Sequence, residues 1–255
     1  MKPSRLPIRR ALACLLLATC LGVRAAAGAG LSIAWQDCSP PVGGGFNNQL
    51  FGCASDIQEF PLFPSFSLAA PMDSVYSMEL VVDFNIAGTE GDPLPVWWMM
   101  APDCRANGWA AAADYAPGTP SCIDAWNGQG TASFQGWITG TPGGSTRHAR
   151  LLVASGVLPQ DAVTLLANDV YTACRILLRT TNTTSCNDGC STPACMVFNS
   201  LLVRRLHTPA DEEILISGPE AGGSDRALWQ GGTGVDCQAV PTRRATWGAV
   251  KALYR

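Results

Sequence analysis

Charge is the scarcest property of this sequence. Only 15% of its 255 residues are charged, against about 25% in an average globular protein. Lysine occurs only at Lys2 and Lys251, and histidine only at His148 and His207. Disordered chains combine high net charge with few apolar residues, whereas 47% of this chain is hydrophobic. The composition therefore excludes a disordered protein and predicts a folded core.

The sequence also lacks the short motifs that most often indicate catalysis. No G-x-S-x-G, H-E-x-x-H, C-x-x-C-H, Walker or Rossmann pattern is present. Glu79 and Asp83 share one face of a predicted strand but lie about 13 Å apart along it, too far for a pair of glycosidase carboxylates. We expect a solvated face there, no cofactor, and a protein that is not an enzyme. A hydrolase whose acids only the fold brings together stays open.

No strong metal-binding pattern is present either. Glu90-Gly91-Asp92 and Asn187-Asp188-Gly189 could at most contribute to a calcium loop, because neither has D-x-D-x-D-G spacing. The Asp211-Glu212-Glu213 run is interpreted as a charged turn. The clustered cysteines do not follow a zinc-ribbon spacing, and export disfavours free thiolates. We therefore predict no metal.

The N-terminus has the features of a secretory signal peptide over residues 1–27. Four basic residues precede an apolar run over 11–23, and small residues offer cleavage near positions 27–29. The run is shorter than the roughly 20 residues that cross a bilayer, so we expect an extracellular or periplasmic protein without a transmembrane segment. A lipoprotein is the alternative, because Leu17–Cys20 reads LATC.

Cleavage changes the net charge from −3 to −8, since 12 basic residues then face 20 acidic ones. Nucleic-acid binding depends on a positive surface that neutralises phosphates. An acidic mature chain argues against a nucleic acid as partner. The sequence does not predict the oligomeric state.

Nine cysteines remain after cleavage, and in an oxidising compartment we read them first as disulfides. Eight lie beside turn-forming residues, and these are the predicted disulfide cysteines: Cys38, Cys53, Cys104, Cys122, Cys186, Cys190, Cys195 and Cys237. Cys174 instead lies in an alternating apolar run and is predicted to be a buried free thiol.

Pairing of sequence neighbours would join Cys38 to Cys53 and Cys104 to Cys122, each closing a short loop. The other four cysteines allow three connectivities, of which we favour one without excluding the other two. The favoured arrangement joins Cys186 to Cys195, and Cys190 to Cys237.

Alternation of apolar and polar residues is strongest over Val75–Ile86 and predicts a central strand. Eight weaker segments show similar patterns between turn clusters. They are Leu31–Trp35, Phe63–Leu68, Val96–Met100, Thr131–Thr139, Arg147–Leu158, Val170–Arg179, Cys195–Leu206 and Glu213–Ser217. Nine short strands without helical alternation between them predict an all-β, disulfide-stapled antiparallel sandwich, immunoglobulin-like or jelly-roll-like.

The predicted sandwich domain covers residues 30–217, with a docked C-terminal extension over 218–255. Short helical turns are predicted within Ala106–Tyr115 and Cys122–Trp126, inside a loop-rich insertion, and a short helix after Thr246. Aromatic residues concentrate around this insertion. The candidate ligand-binding residues are Trp97, Trp98, Trp109, Tyr115 and Trp126, with Trp137 nearby. Exposed, such rings would stack on a sugar or a partner protein; buried, they would form a satellite core.

Several segments together resemble a family of uncharacterised secreted bacterial proteins known from environmental genomes. They are AWQDC, PVWWMM followed by DCR, CIDAW, HARLLVA, CNDGCSTPACMVFNSL, LWQGG and the closing TWGAVKALYR. The resemblance spans nearly the whole mature chain and implies export and this fold, but no activity. We therefore expect a secreted, non-catalytic binding or surface-interaction module for an unknown glycan or protein ligand. The alternative is a secreted glycan-active hydrolase or carbohydrate-binding protein that uses the Trp-rich insertion.

Overall fold

A computed structural model of the chain describes residues 29–100, 105–115, 120–141, 143–207, 210–220 and 223–237. These residues form fourteen strands and two 3-10 turns, Val96–Trp98 and Pro159–Asp161. The strands are β1 (Gly30–Trp35), β2 (Asn48–Gln49), β3 (Glu59–Ser67), β4 (Met72–Ile86), β5 (Trp109–Ala112), β6 (Ile123–Asp124), β7 (Thr131–Thr139), β8 (His148–Gly156), β9 (Val163–Leu165), β10 (Val170–Thr172), β11 (Arg175–Arg179), β12 (Ala194–Arg205), β13 (Glu212–Ser217) and β14 (Arg226–Trp229).

The strands build a disulfide-stapled β-sandwich of two sheets, which confirms the predicted fold class. In the six-stranded sheet, β3 is central: β1 pairs with one edge, and β10 and β11 pair with successive halves of the other edge. β5 then pairs with β11, and β6 pairs with β10. This sheet packs through β1 against β12 and β14 of the second sheet.

The eight-stranded sheet is built around the two longest strands, β4 and β12, which run antiparallel. β8 and then β7 extend it on one side, β13, β14 and β2 extend it on the other, and β9 pairs with the first residues of β4. The even residues of β4 from Met78 to Ile86 are buried in the core, because side chains of a strand alternate between its two faces. The predicted central strand is therefore confirmed, with an earlier start at Met72.

Most of the other predicted strands are present with small shifts in their ends, and Thr131–Thr139 has the predicted bounds. Val170–Arg179 is interrupted at Ala173 and Cys174. Val96–Met100 is not a strand: a 3-10 turn over Val96–Trp98 lets both tryptophans reach the core, which adjacent residues of a strand cannot do.

The insertion also differs from its prediction. Within Ala106–Tyr115 the chain forms β5, and within Cys122–Trp126 it forms β6, because these segments complete the edge of the six-stranded sheet. Residues 226–229, placed by the sequence in a C-terminal extension, form β14 inside the eight-stranded sheet.

The predicted signal peptide and C-terminal helix lie outside the described residues. No helix among the described segments has the length and apolarity needed to span a membrane.

All the predicted disulfide pairings that can be compared with the structure are wrong. The bonds join Cys38 to Cys122, Cys53 to Cys190, and Cys195 to Cys237, across 84, 137 and 42 positions. Cys186 is also disulfide-bonded, and Cys104 lies outside the described residues. The partners are set by which strand ends meet in space.

Cys174 is free and buried, and burial raises the pKa of its thiol to about 12.

The sandwich has a stapled end and an open end. At the stapled end β4 finishes at Ile86 and β12 begins at Ala194, and the Cys53–Cys190 and Cys195–Cys237 bonds lie there. At the open end β4 begins at Met72 and β12 finishes at Arg205. No disulfide joins the described residues of the open end.

Candidate functional site

The tryptophans named by the sequence lie inside the sandwich. Trp97, Trp98, Trp109 and Trp126 are all buried and belong to the main hydrophobic core. A buried ring offers no face on which a sugar or a partner can stack. The interpretation of these four residues as an exposed binding platform is therefore not what the structure shows. They belong to the main core and not to a separate satellite core.

Tyr115, the fifth of these candidates, lies in a small second cluster on the other face of β3. Its ring stacks on Phe63, with centroids 6.3 Å apart, and the cluster includes the Cys38–Cys122 bond. The Tyr115 hydroxyl donates to the backbone oxygen of Thr172 at 3.3 Å, and burial raises the pKa of this phenol. Tyr115 is thus a packing residue.

The buried rings also hold a buried cation. The guanidinium of Arg105 lies 4.1 Å from the ring centre of Trp97 and donates to the Thr183 hydroxyl at 2.7 Å. Burial lowers the pKa of Arg105 to about 10, and the charge of Asp56 opposes that shift. The Trp97 indole donates to the same hydroxyl at 3.1 Å. This arrangement ties the Trp97 turn to the loop after β11.

Asp83 and Glu79, the acidic residues considered for catalysis, pair with two different arginines. Asp83 is buried, which corrects its expected solvated position, and it accepts from the Arg150 guanidinium at 2.6 Å and from the Asn199 amide. Glu79 pairs with Arg204 at 2.7 Å. Among the described residues, no pair of carboxylates lines either of the surface cavities at the open end. Glu79 and Asp83 therefore belong to two separate ion pairs.

An apolar groove of about 400 Å³ opens at the open end, beside β13. Its walls are the loop between β3 and β4, the residue before β1, and the second half of β13. The lining residues are Ala29, Leu68, Ala69, Ala70, Pro71, Met72, Arg205, Ile214, Leu215, Ile216 and Ser217. Because four consecutive β13 residues with alternating directions line it, the groove follows the edge of this strand.

The edge of β13 along this groove is unpaired. Just after β12, Leu206 donates to the backbone oxygen of Ser74 on the β4 side. Alternation along β12 therefore directs Leu201 and Val203 toward β13, and their partners Ile214 and Ile216 face β12. The backbone groups of Leu215 and Ser217 therefore face away from the sheet. Among the described residues none pairs with them, and the Leu215 side chain is 44% exposed.

A polar hollow of about 610 Å³ adjoins the groove on the other side of Arg205. Ser74, Leu206, His207 and Asp211 line it. Ser74 has a φ of 55° and lies at an irregularity in the pairing of β4 with β9. Non-glycine residues in this left-handed region are uncommon and often lie at functional positions.

The hollow contains a serine, a histidine and an aspartate, yet they are not arranged as a triad. Asp211 accepts from the Tyr76 hydroxyl at 2.8 Å, and this neighbouring acid raises the Tyr76 pKa together with burial, the larger cause. The Ser74 backbone oxygen accepts from the Leu206 amide at 2.9 Å. Within the described residues no hydrogen bond links Ser74, His207 and Asp211. A nucleophile, its base and its orienting acid need such contacts, and these three residues do not make them with one another.

Acidic residues outnumber basic ones around these two cavities. Arg204 pairs with Glu79 at 2.7 Å and with Glu213 at 2.8 Å. Arg205 pairs with Asp73 at 2.9 Å and Glu212 at 2.6 Å. With Asp211, five carboxylates surround two guanidinium groups. The rim of the open end is therefore net negative.

Comparison with known proteins adds no function. No protein-family model matches the chain, and no curated protein matches it. Among solved structures the chain is similar to a cohesin module from a family 33 glycoside hydrolase of Clostridium perfringens ATCC13124, at 10% identity and a TM-score of 0.29. The match covers 76% of this chain and 97% of that module. The site is therefore described from its own geometry.

Sequence reasoning missed both cavities because their walls come from distant segments. The sequence interprets Asp211-Glu212-Glu213 as a charged turn, but Glu212 and Glu213 begin β13 and pair with β12. The predicted strand Glu213–Ser217 is present one residue longer, and His207 is recognised only in isolation. Nothing in the local pattern shows that β13 is an edge strand or that the apolar loop before β4 faces it. The left-handed conformation of Ser74 also has no sequence signal of the Asn-Gly kind.

Proposed function

We propose that this protein is an exported, non-catalytic binding module that takes up an extended segment of another polypeptide at its open end. The observation that carries the proposal is the free edge of β13 running along an apolar groove. A segment added to a sheet edge gains backbone hydrogen bonds, and its alternate side chains enter neighbouring pockets. The open end offers both parts of this mode of recognition.

The groove fixes what the partner segment must look like. Its walls are mostly aliphatic, so the inward side chains of the partner should be apolar. The rim carries more carboxylates than guanidinium groups, so lysine or arginine at the flanks of the segment should favour binding. A basic and apolar alternating peptide is the predicted ligand class.

The predicted export supports the same proposal. The described disulfides fit an oxidising compartment, and the N-terminal pattern predicts a signal peptide. A protein outside the cell that offers a shaped groove, and whose described residues do not form a catalytic arrangement, is suited to recognition. The buried tryptophans do not favour the alternative of sugar stacking.

The test is selection of peptides on the oxidised mature protein, followed by affinity measurement with fluorescence anisotropy. We expect enriched peptides to alternate apolar residues and to carry basic flanks. Ala70→Trp, which fills the groove, and Leu215→Pro, which removes an edge-facing N–H, should each weaken binding about tenfold or more. Leu158→Ala, at an exposed position outside the groove, should leave affinity unchanged.

Two results would contradict the proposal. One is a selection that yields no binder while a glycan array yields a ligand, which would favour a carbohydrate-binding protein. The other is a peptide whose affinity is equal in all three variants, which would place the binding surface elsewhere.

A further inference from the structure

A second strand edge, on β7, carries an independent inference. β7 ends the hydrogen-bonded order of the eight-stranded sheet on the side opposite β13. β5 of the other sheet lies close to it, with Trp109 stacked on Trp137 at 6.0 Å. Among the described residues, however, no backbone hydrogen bond joins β5 to β7. Within the part of the chain that the structure describes, the outer edge of the nine-residue β7 therefore has no hydrogen-bonded neighbour strand.

This edge lacks the side chains that usually protect an edge strand. Residues 125–146 contain no charged residue, although the chain as a whole carries a net negative charge. Natural edge strands are commonly blocked by lysine, other charges or proline. β7 has only an irregularity in its pairing with β8 between Phe134 and Gly136. Phe134 is 37% exposed on it.

The hydrogen-bond alternation shows which backbone groups are available. Gly140 donates to the backbone oxygen of His148, so Ile138 and Gly136 also face β8. Trp137 and Thr139 therefore face outward. The extra residue at the irregularity shifts the alternation, and on its other side Phe134 and Ala132 face outward.

We propose that the β7 edge binds the β7 edge of a second copy of this chain, in an antiparallel pair. One register brings all four outward residues together: Phe134 lies opposite Trp137 of the second copy, and Ala132 lies opposite Thr139. The two-fold axis then passes between Gln135 and Gly136. Each copy contributes the same surface, as a closed symmetric dimer requires.

Two features of the edge favour a second copy over an unrelated strand. The register is self-complementary, since each outward residue of one copy lies opposite an outward residue of the other copy. This is possible because the irregularity in β7 shifts the alternation of outward residues. It also forms two aromatic cross-strand pairs of Phe134 with Trp137, a favourable combination. The chain is net negative, whereas β7 carries no charge. Two copies therefore meet at this edge without repulsion between like charges across the pair.

The test uses charge pairs at Gln135, an exposed side chain beside the proposed axis. In analytical ultracentrifugation the oxidised mature chain should form a dimer. Gln135→Glu and Gln135→Lys should each raise the dimer dissociation constant about tenfold or more, because like charges then face each other. An equal mixture of the two variants should recover the dimer. The matched pair Gln160→Glu and Gln160→Lys, on the exposed Pro159–Asp161 turn, should leave the constant unchanged.

Hydrogen exchange tests the register. The amides of Ala132, Phe134, Trp137 and Thr139 should exchange slowly in the dimer and rapidly in Gln135→Lys. A chain that stays monomeric at all concentrations would overturn the proposal, and so would a dimer that both Gln135 variants retain. Neither result would bear on peptide binding at β13, which is measured separately.

Discussion

The two ends of this sandwich are held together by different interactions. At the stapled end Trp229 packs against Trp35, Phe51 and Trp97, with ring centres 5.1 to 6.1 Å apart, and its indole donates to the backbone of Cys190 at 2.8 Å. Disulfides cross-link the same region. At the open end ion pairs around Arg204 and Arg205 take the place of disulfides.

The stapled end holds disulfides and buried rings that stabilise the fold, and the open end holds the surface proposed for recognition. A cross-linked aromatic core holds the strand ends in one arrangement. The open end keeps a groove and an unpaired edge, and exposed ion pairs contribute little to stability. Binding surfaces are often drawn from the less stable parts of a protein. The comparison therefore supports the proposal that recognition takes place at the open end, which has fewer constraints.

Truncation of a core residue should show the largest difference between the ends. Trp229→Ala removes a buried ring with five aromatic neighbours and should lower the free energy of unfolding by about 3–5 kcal/mol. Leu215→Ala removes a half-exposed side chain at the open end and should cost about 0.5 kcal/mol or less. Urea denaturation followed by tryptophan fluorescence measures both. Equal costs would show that the ends are equally constrained.

Removal of a cross-link should have the next largest effect. The double variant Cys53→Ala/Cys190→Ala opens a bond that spans 137 positions and should destabilise the protein by about 2–4 kcal/mol. Cys174→Ala is the control, since it removes a buried thiol but no bond, and it should cost about 1 kcal/mol. Exchange of β14 amides should accelerate in the double variant, whereas β13 amides should keep their rates. Faster exchange of β13 would contradict local stapling.

Much of the fold could be predicted from alternation alone. β4 and β8 are long and alternate between buried and less buried residues over much of their length, so their apolar residues recur at every second position and reveal both type and length. Short strands such as β5 and β6 carry too few residues for a pattern, and alanine at 110–113 favoured a helical interpretation. Pairing with β11 overrides that preference.

Contacts between residues that are far apart in the chain could not be predicted from the sequence. The partner of Cys53 is chosen by where two loops meet at the stapled end, and no local pattern contains that information. The same limit applies to the aromatic cluster: composition located the tryptophans, but only the packing of Trp97 on Trp229 shows that they are core. The lack of charge over 125–146 can be seen in the sequence, but the edge position of β7, like the β13 groove, needs the topology.

Acidification should produce the smallest effect, and it should act first on the loops of the stapled end. Glu90 accepts from Ser145 and Thr146, and these hydrogen bonds lower its pKa from 4.5. Asp56 accepts from the hydroxyl and amide of Thr184, which lower its pKa from 3.8. A lowered pKa means that the folded state holds the charged form more firmly than the unfolded chain does. The resulting stability is therefore present above about pH 4.5 and is lost as pH falls through the folded values.

The measurement is the urea midpoint between pH 6 and pH 3, compared with Glu90→Gln and Asp56→Asn. We expect wild type to lose stability below about pH 4.5 and each variant to lose less, because its carboxylate no longer contributes. Both carboxylates are exposed to solvent, so added salt should leave these hydrogen-bonded contacts less affected than the ion pairs of the open end. An unchanged pH dependence in both variants would mean that other acids control acid unfolding, and the loops of the stapled end would then depend on their disulfides and buried rings alone.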